Sequence, residues 1–345
     1  MLFRSTSGAG YLKAGAVVSF TLNTSEAVTV ITSGGTPSLS LNSGGSAIYT
    51  GGSGTTGLSF VYTVGATDNA ADLSITALNA NGAILSDAAG NTFASFANNP
   101  GGTLVIDTIA PNAPATAPAE LGTMKLADGY LNSAEAGTAT SFRVNLSGTG
   151  AVAGDVVELL LNGAAFGTAK TATLVSTNIS NGYVDFSVAS VEFGADGAKS
   201  LTARLTDQAG NISNASAARL FTLDTVAPTP PSVALAADTG ISGSDRLTNN
   251  ASINVGNLES GATWQYSTDS GTSWTSGTGT SFTVAAGAYT QGKVQVRQTD
   301  QAGNLGAANT TFAAFTLDTL APSVTSVDVS GSGITSGAGY LKAGA

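Results

Sequence analysis

The chain has 345 residues and carries 12 Lys and Arg against 22 Asp and Glu, a formal charge of −10, so its surface repels phosphate backbones and anionic lipid and disfavours nucleic acid as a partner. With no cysteine and no histidine it has no disulfide, no thiolate or imidazole metal ligand and no imidazole base, which leaves oxygen as the metal chemistry on offer. Only 10% of residues are charged while 44 are glycine, a composition suited to short strands and tight turns, and the length exceeds what one small core holds.

The opening Met1-Leu2-Phe3-Arg4 has no apolar run behind it, and no stretch reaches the ~18 apolar residues of a membrane span, so neither a signal peptide nor membrane insertion is expected. Residues 18–22 and 58–64 alternate apolar with polar, as do 142–146 and 293–298 further on, which predicts strands with one packed and one wet face. Turn residues at 42–45 and 162–163 punctuate them. No sustained helical period appears, so helix is expected to be minor.

A closing phrase recurs three times. D-A-A-G-N at 87–91 precedes I-D-T-I-A-P at 106–111; D-Q-A-G-N at 207–211 precedes L-D-T-V-A-P at 223–228; and D-Q-A-G-N at 300–304 precedes L-D-T-L-A-P at 317–322. The spacing of about 100 residues is that of a seven-strand sandwich rather than of a solenoid turn. Domains are therefore predicted at 1–111, 112–228 and 229–322, with 323–345 holding the first strand and loop of a fourth. The segment TSGAGYLKAGA at 6–16 also recurs identically at 335–345, marking a longer super-repeat. The prolines after each Asp-Thr step favour extended, semi-rigid linkers, and the expected architecture is all-β: three tandem immunoglobulin-like β-sandwiches in an extended rod.

D-x-A-G-N followed by [IL]-D-T-x-A-P, three times over, resembles the bacterial Ig-like repeats of giant secreted and biofilm-associated adhesins of the RTX type. The resemblance covers essentially the whole chain. It implies a cell-surface, extracellular protein exported by a type I system, with Ca2+ stiffening the joints between domains. Residues 128–135, from Asp128 to Glu135, resemble the acidic A–B loop of such repeats; the first unit has Lys13 in that loop and is not expected to bind an ion there. On immunoglobulin strand directions, the first joint is expected to gather Asp107, Asp68, Asp72 and Asp207, and the second Asp224, Asp128, Glu135 and Asp300, with Asp196 as a further neighbour. The turn aspartates Asp87, Asp207 and Asp300 read equally as calcium ligands and as formers of their own turns. At the strand ends, Asp107 and Asp224 favour calcium.

The function that follows is structural: an extension and adhesion module, not an enzyme, whose partners are the neighbouring repeats and an unknown receptor or glycan. No nucleophile elbow, P-loop or dinucleotide fingerprint occurs. Two alternatives stay open, a carbohydrate-binding module using Trp264, Trp274, Tyr266 and Tyr289 of the third unit, and a surface-layer or sheath protein. Residues 267–274 match an Asp-box hairpin, read as a hairpin whose aspartate caps its own turn. The first unit has little chain before its Gly-Tyr-Leu-Lys, so it is expected to leave a sheet edge open, and strand addition from the 323–329 segment of another copy would give head-to-tail self-association.

Overall fold

The computed structural model describes residues 3–4, 10–92, 101–123 and 125–328. The chain divides into two compact units, residues 1–225 and 226–345. Two hydrophobic cores lie in the first unit and one in the second.

The first core is built on the long strand Val17–Ile31 and its antiparallel partner Thr55–Thr63. The register sets Val18 opposite Tyr62, Phe20 opposite Phe60 and Leu22 opposite Leu58, and all six are buried. These cross-strand pairs on one face are what two-residue alternation produces. The sheet runs Phe3–Arg4, Val17–Ile31, Thr55–Thr63, Ser46–Gly51, Ser38–Leu41, Ile75–Asn79. Phe3–Arg4 pairs in parallel with Val18 and Ser19, so the edge expected to be open is taken by the chain's own start. Residues 323–328 are exposed and form no strand; the rest of that expected donor segment lies outside the described residues.

In the second core one sheet orders Ala119–Leu121, Thr140–Asn145, Tyr183–Val188, and the other Tyr130–Leu131, Arg219–Leu223, Gly197–Thr206, Val156–Leu161, Ala164–Thr173. Phe193 sits 5.2 Å from Phe221, 6.2 Å from Phe166 and 6.3 Å from Phe142, an aromatic cluster between the sheets. Helix in the described residues is confined to Ser176–Asn181, stopped by Gly182 at φ 76°, and two single 3-10 turns.

The third core uses three short sheets: Ser232–Leu235 with Ser252–Gly256 and Ser281–Thr283; Thr275–Ser276 with Thr263–Ser267 and Gln295–Thr299; Leu247–Thr248 with Phe315–Leu317 and Gly287–Tyr289. Trp264 fills it, 5% exposed, with its indole N–H donating to the Gly279 carbonyl at 3.0 Å.

One pairing is common to all three cores. Gly10–Leu12 runs parallel to Leu104–Ile106, Tyr130–Leu131 to Arg219–Leu223, and Leu247–Thr248 to Phe315–Leu317. Each ends at the Asp of the closing phrase: the amides of Asp107, Asp224 and Asp318 donate to the carbonyls of Leu12, Leu131 and Thr248 at 2.9, 3.1 and 2.9 Å. A residue of positive φ leads each short strand: Gly10 (136°) as its first residue, and Gly129 (89°) and, against the steric preference of an L side chain, Arg246 (62°) just before it.

Candidate functional site

The closing turns are superimposable in their bonding. In each, the aspartate amide donates to the asparagine carbonyl four residues on, the asparagine amide donates to one carboxylate oxygen, and the asparagine side chain donates to the other. For Asp207 and Asn211 these distances are 3.0, 2.8 and 2.8 Å; for Asp300 and Asn304 they are 3.1, 2.8 and 2.9 Å; for Asp87 and Asn91 they are 3.0, 2.8 and 2.7 Å. These hydrogen bonds hold the Asp87 carboxyl below its ordinary pKa, the Asn91 side chain contributing most. Gly90, Gly210 and Gly303 supply the left-handed step at φ 90°, 87° and 94°. Turn formation accounts for both oxygens of each of these three aspartates.

The other predicted acids are engaged locally. Asp68 accepts from the Tyr62 hydroxyl (2.7 Å) and the Gly65 amide (2.9 Å). Burial, with Asp68 assisting, pushes the Tyr62 hydroxyl up to about 12, against an opposing pull from Ser43. Asp72 accepts the Leu104 amide at 3.2 Å. Asp128 accepts the Tyr130 amide (2.9 Å) and Glu135 the Asn132 amide (3.0 Å), both inside their own loop. At the Asp-Thr step the capping group is Asn69 in the first sandwich, taking the Thr108 amide at 3.0 Å, and Asp196 in the second, taking the Thr225 amide at 2.8 Å. Asp224 sits at the end of Arg219–Leu223, and Asp300 lies in the other compact unit.

The first and second sandwiches meet within one unit, and their joint is bonded across. Asn211 of the closing turn donates from its side chain to the Asp107 carbonyl at 2.9 Å, and the Lys13 ammonium donates to the Gly210 carbonyl at 2.9 Å. In the linker, Asn112 donates from its amide to Thr149 O (2.9 Å) and from its side chain to Gly148 O (3.1 Å). Sequence reasoning placed Asp107 and Asp207 here and missed the third acid, Asp155.

Asp155 is 3% exposed. Its Oδ2 accepts the Val152 amide at 2.9 Å, while Oδ1 is buried without a hydrogen bond. Burial raises its pKa; the Val152 and Gln208 amides pull the other way, and the charges of Asp207 and Asp107 push it further up. A lone acid ahead of an apolar strand, outside every repeated phrase, gave no sequence signal. Among the described residues no three acidic side chains converge closely enough to grip one metal ion. Asp155 stands within electrostatic reach of Asp207 and of Asp107, with one of its oxygens buried and unsatisfied, a donor chemistry of hard oxygens.

The carbohydrate alternative loses its platform. Trp264 is core, and Arg297 lies 4.0 Å over the Trp274 ring. Tyr289 stacks on Phe315 at 4.7 Å and Tyr266 on Phe282 at 4.1 Å. The Asp-box hairpin closes on itself: Asp269 accepts from Ser267 (2.6 Å) and Ser273 (2.5 Å from the hydroxyl, 2.9 Å from the amide), and these bonds, the two hydroxyls foremost, lower its pKa to about 2. Among the described residues no helix is long and apolar enough to cross a membrane.

No protein-family profile and no curated protein matches the chain. Solved structures do. A Ca2+-stabilised adhesin with which an Antarctic bacterium reaches out and binds ice is similar at 23% identity, over 89% of this chain and 74% of the other, with a TM-score of 0.38. A 1.5-MDa bacterial ice-binding adhesin, from work on host cell surface retention, matches at 17% identity over 90% and 95%, TM-score 0.33. The FN1-FN3 domains of chicken CNTN1 match at 12% identity over 90% and 100%, TM-score 0.27. The fold is immunoglobulin-like. That assignment rests on the strand order and cores of the chain itself.

Proposed function

We propose that the chain is a mechanical extension segment of a bacterial cell-surface adhesin, working outside the cell, with domains at 1–111, 112–228 and 229–322 and a fourth beginning at 323–345. The observation that carries this is the bonded joint between the first two sandwiches. A joint with direct bonds from Lys13 and Asn211 and a pinned linker at Asn112 resists bending, which is what a spacer needs and a transient contact does not.

The same joint favours a divalent cation. Three carboxylates, Asp107, Asp155 and Asp207, stand against one ammonium, Lys13, leaving two negative charges without a partner. An ion taken up beside Asp155, whose Oδ1 is buried without a hydrogen bond, would supply positive charge in the field of Asp107 and Asp207. An ion taken up only by the folded, aligned joint stabilises it by about 2.7 kcal/mol at a concentration a hundred times its Kd.

Small-angle X-ray scattering of the whole chain in 5 mM calcium and in excess chelator tests this. A longer, less flexible particle in calcium, lost in Asp155→Asn, is the expected result. Superimposable profiles would remove calcium from the account and leave the bonds from Lys13, Asn211 and Asn112 as the source of stiffness.

A further inference from the structure

The loop that resembles an acidic calcium loop already contains a cation. The Lys125 ammonium sits among four oxygens: Glu135 O at 2.7 Å, Thr138 O at 2.8 Å, Thr138 Oγ1 at 2.8 Å and Ala139 O at 3.4 Å. Three are main-chain carbonyls: that of Glu135, which opens the 3-10 turn Glu135–Gly137 and also accepts the Thr138 amide at 3.5 Å, and those of Thr138 and Ala139 just beyond the turn.

The backbone around the lysine is fixed to put it there. The side chain of Glu120, 1% exposed, accepts the Lys125 amide at 2.8 Å and the Leu126 amide at 3.1 Å. Arg219 approaches the same carboxylate at 3.7 Å and donates to the Leu126 carbonyl at 3.2 Å. On the far side Ser190 donates to the Ala136 carbonyl at 2.6 Å, anchoring the turn that carries the oxygens. The two acids that name the loop, Asp128 and Glu135, are turned to local amides instead.

We propose that Lys125 is the resident cation of the 125–139 loop, filling an oxygen cage that would otherwise take a divalent ion, so that this loop folds without metal. The cage is chemically fit for either occupant, because carbonyl and hydroxyl oxygens bind an ammonium by hydrogen bonds and Ca2+ by coordination. This goes beyond the proposed stiffening of the joint and separates the two places in the same molecule: the joint responds to calcium and the loop does not.

Hydrogen exchange of the full chain, read by peptide in 5 mM calcium chloride and in excess chelator, tests it. In the unsubstituted protein, peptides covering 126–139 are expected to exchange identically in both buffers. In Lys125→Met the same peptides are expected to exchange at least tenfold faster in chelator, with calcium recovering part of the protection; Lys125→Arg, which keeps the charge, should lie between. Slowing of the 126–139 amides by calcium in the unsubstituted protein would overturn the proposal without need of any variant. Unchanged exchange in Lys125→Met, or faster exchange that calcium leaves untouched, would also overturn it, the latter reducing the ammonium to a cap on the 3-10 turn. Peptides covering 205–214 report the joint separately, so a calcium-silent joint beside a calcium-silent loop would sink the joint reading and leave this one standing.

Discussion

The turn at 152–155 in the second sandwich and the turn at 259–262 in the third share one backbone. Asp155 donates its amide to Val152 O at 3.2 Å, and Ala262 donates to Glu259 O at 3.1 Å. Each is preceded by a left-handed glycine, Gly154 at φ 102° and Gly261 at φ 79°, against which the closing-turn glutamine packs, Gln208 in one and Gln301 in the other. Each leads into a strand, Val156–Leu161 or Thr263–Ser267. The third sandwich makes this turn with an alanine, so a buried carboxylate is not a requirement of the fold. Asp155 instead buries a carboxylate in that turn, one oxygen on the Val152 amide and the other unsatisfied.

The largest effect should come from the shared glycines. Gly154→Ala must place its Cβ 2.7 Å from the Gln208 side chain at a φ that L residues avoid, and is expected to cost about 2 kcal/mol in urea unfolding; Gly261→Ala, where the nearest atom is 3.3 Å away, about 1 kcal/mol. Equal costs would mean that the two turns are less alike than their hydrogen bonds suggest. Next, Asp155→Ala should give the second sandwich the third's version of the turn and raise stability at pH 7 in chelator by about 1 kcal/mol, the removal of a buried unsatisfied carboxylate oxygen outweighing the lost bond to the amide of the exposed Val152. The sign follows from linkage. Folding raises the Asp155 pKa, so the folded state holds the proton more tightly; that contribution is complete below the ordinary carboxylate range and is lost as pH rises through the raised value. Asp155→Asn should therefore flatten the pH profile just above that range, and an unaltered profile would place the titration elsewhere. The smallest effect is Lys13→Met, an exposed contact, expected to cost about 0.5 kcal/mol while measurably speeding exchange of the Gly210–Asn211 amides.

Much of the fold was legible in the sequence because it is written locally. The run at 18–22 lies in the strand Val17–Ile31, and the runs at 58–64 and 142–146 overlap Thr55–Thr63 and Thr140–Asn145, passing each strand end by one residue, each with the period that one buried face imposes. The D-x-A-G-N phrase carries its whole turn within five residues. The candidate site was legible only where a repeated phrase reached it, at Asp107 and Asp207. Asp155 and Lys125 are single occurrences, and what matters about them is what they meet: Asp155 the field of acids 48 and 52 residues distant in the chain, Lys125 the carbonyls of a turn ten or more residues on. Asp68 and Asp72 went the other way, being used inside the first sandwich by the Tyr62 hydroxyl and the Leu104 amide.

The closing turn has a kinetic consequence. Every hydrogen bond within the turn itself joins residues no more than four apart, so it can close on the timescale of a hairpin, about 1–10 μs, before any contact between distant strands is made. In a chain whose neighbouring domains repeat the same phrases, the hazard during folding is that a strand of one domain pairs with its counterpart in the next. In the second sandwich the strand before the phrase, Gly197–Thr206, pairs directly with the strand after it, Arg219–Leu223, so a turn that shuts early commits those two strands to each other before either can meet its counterpart in another domain.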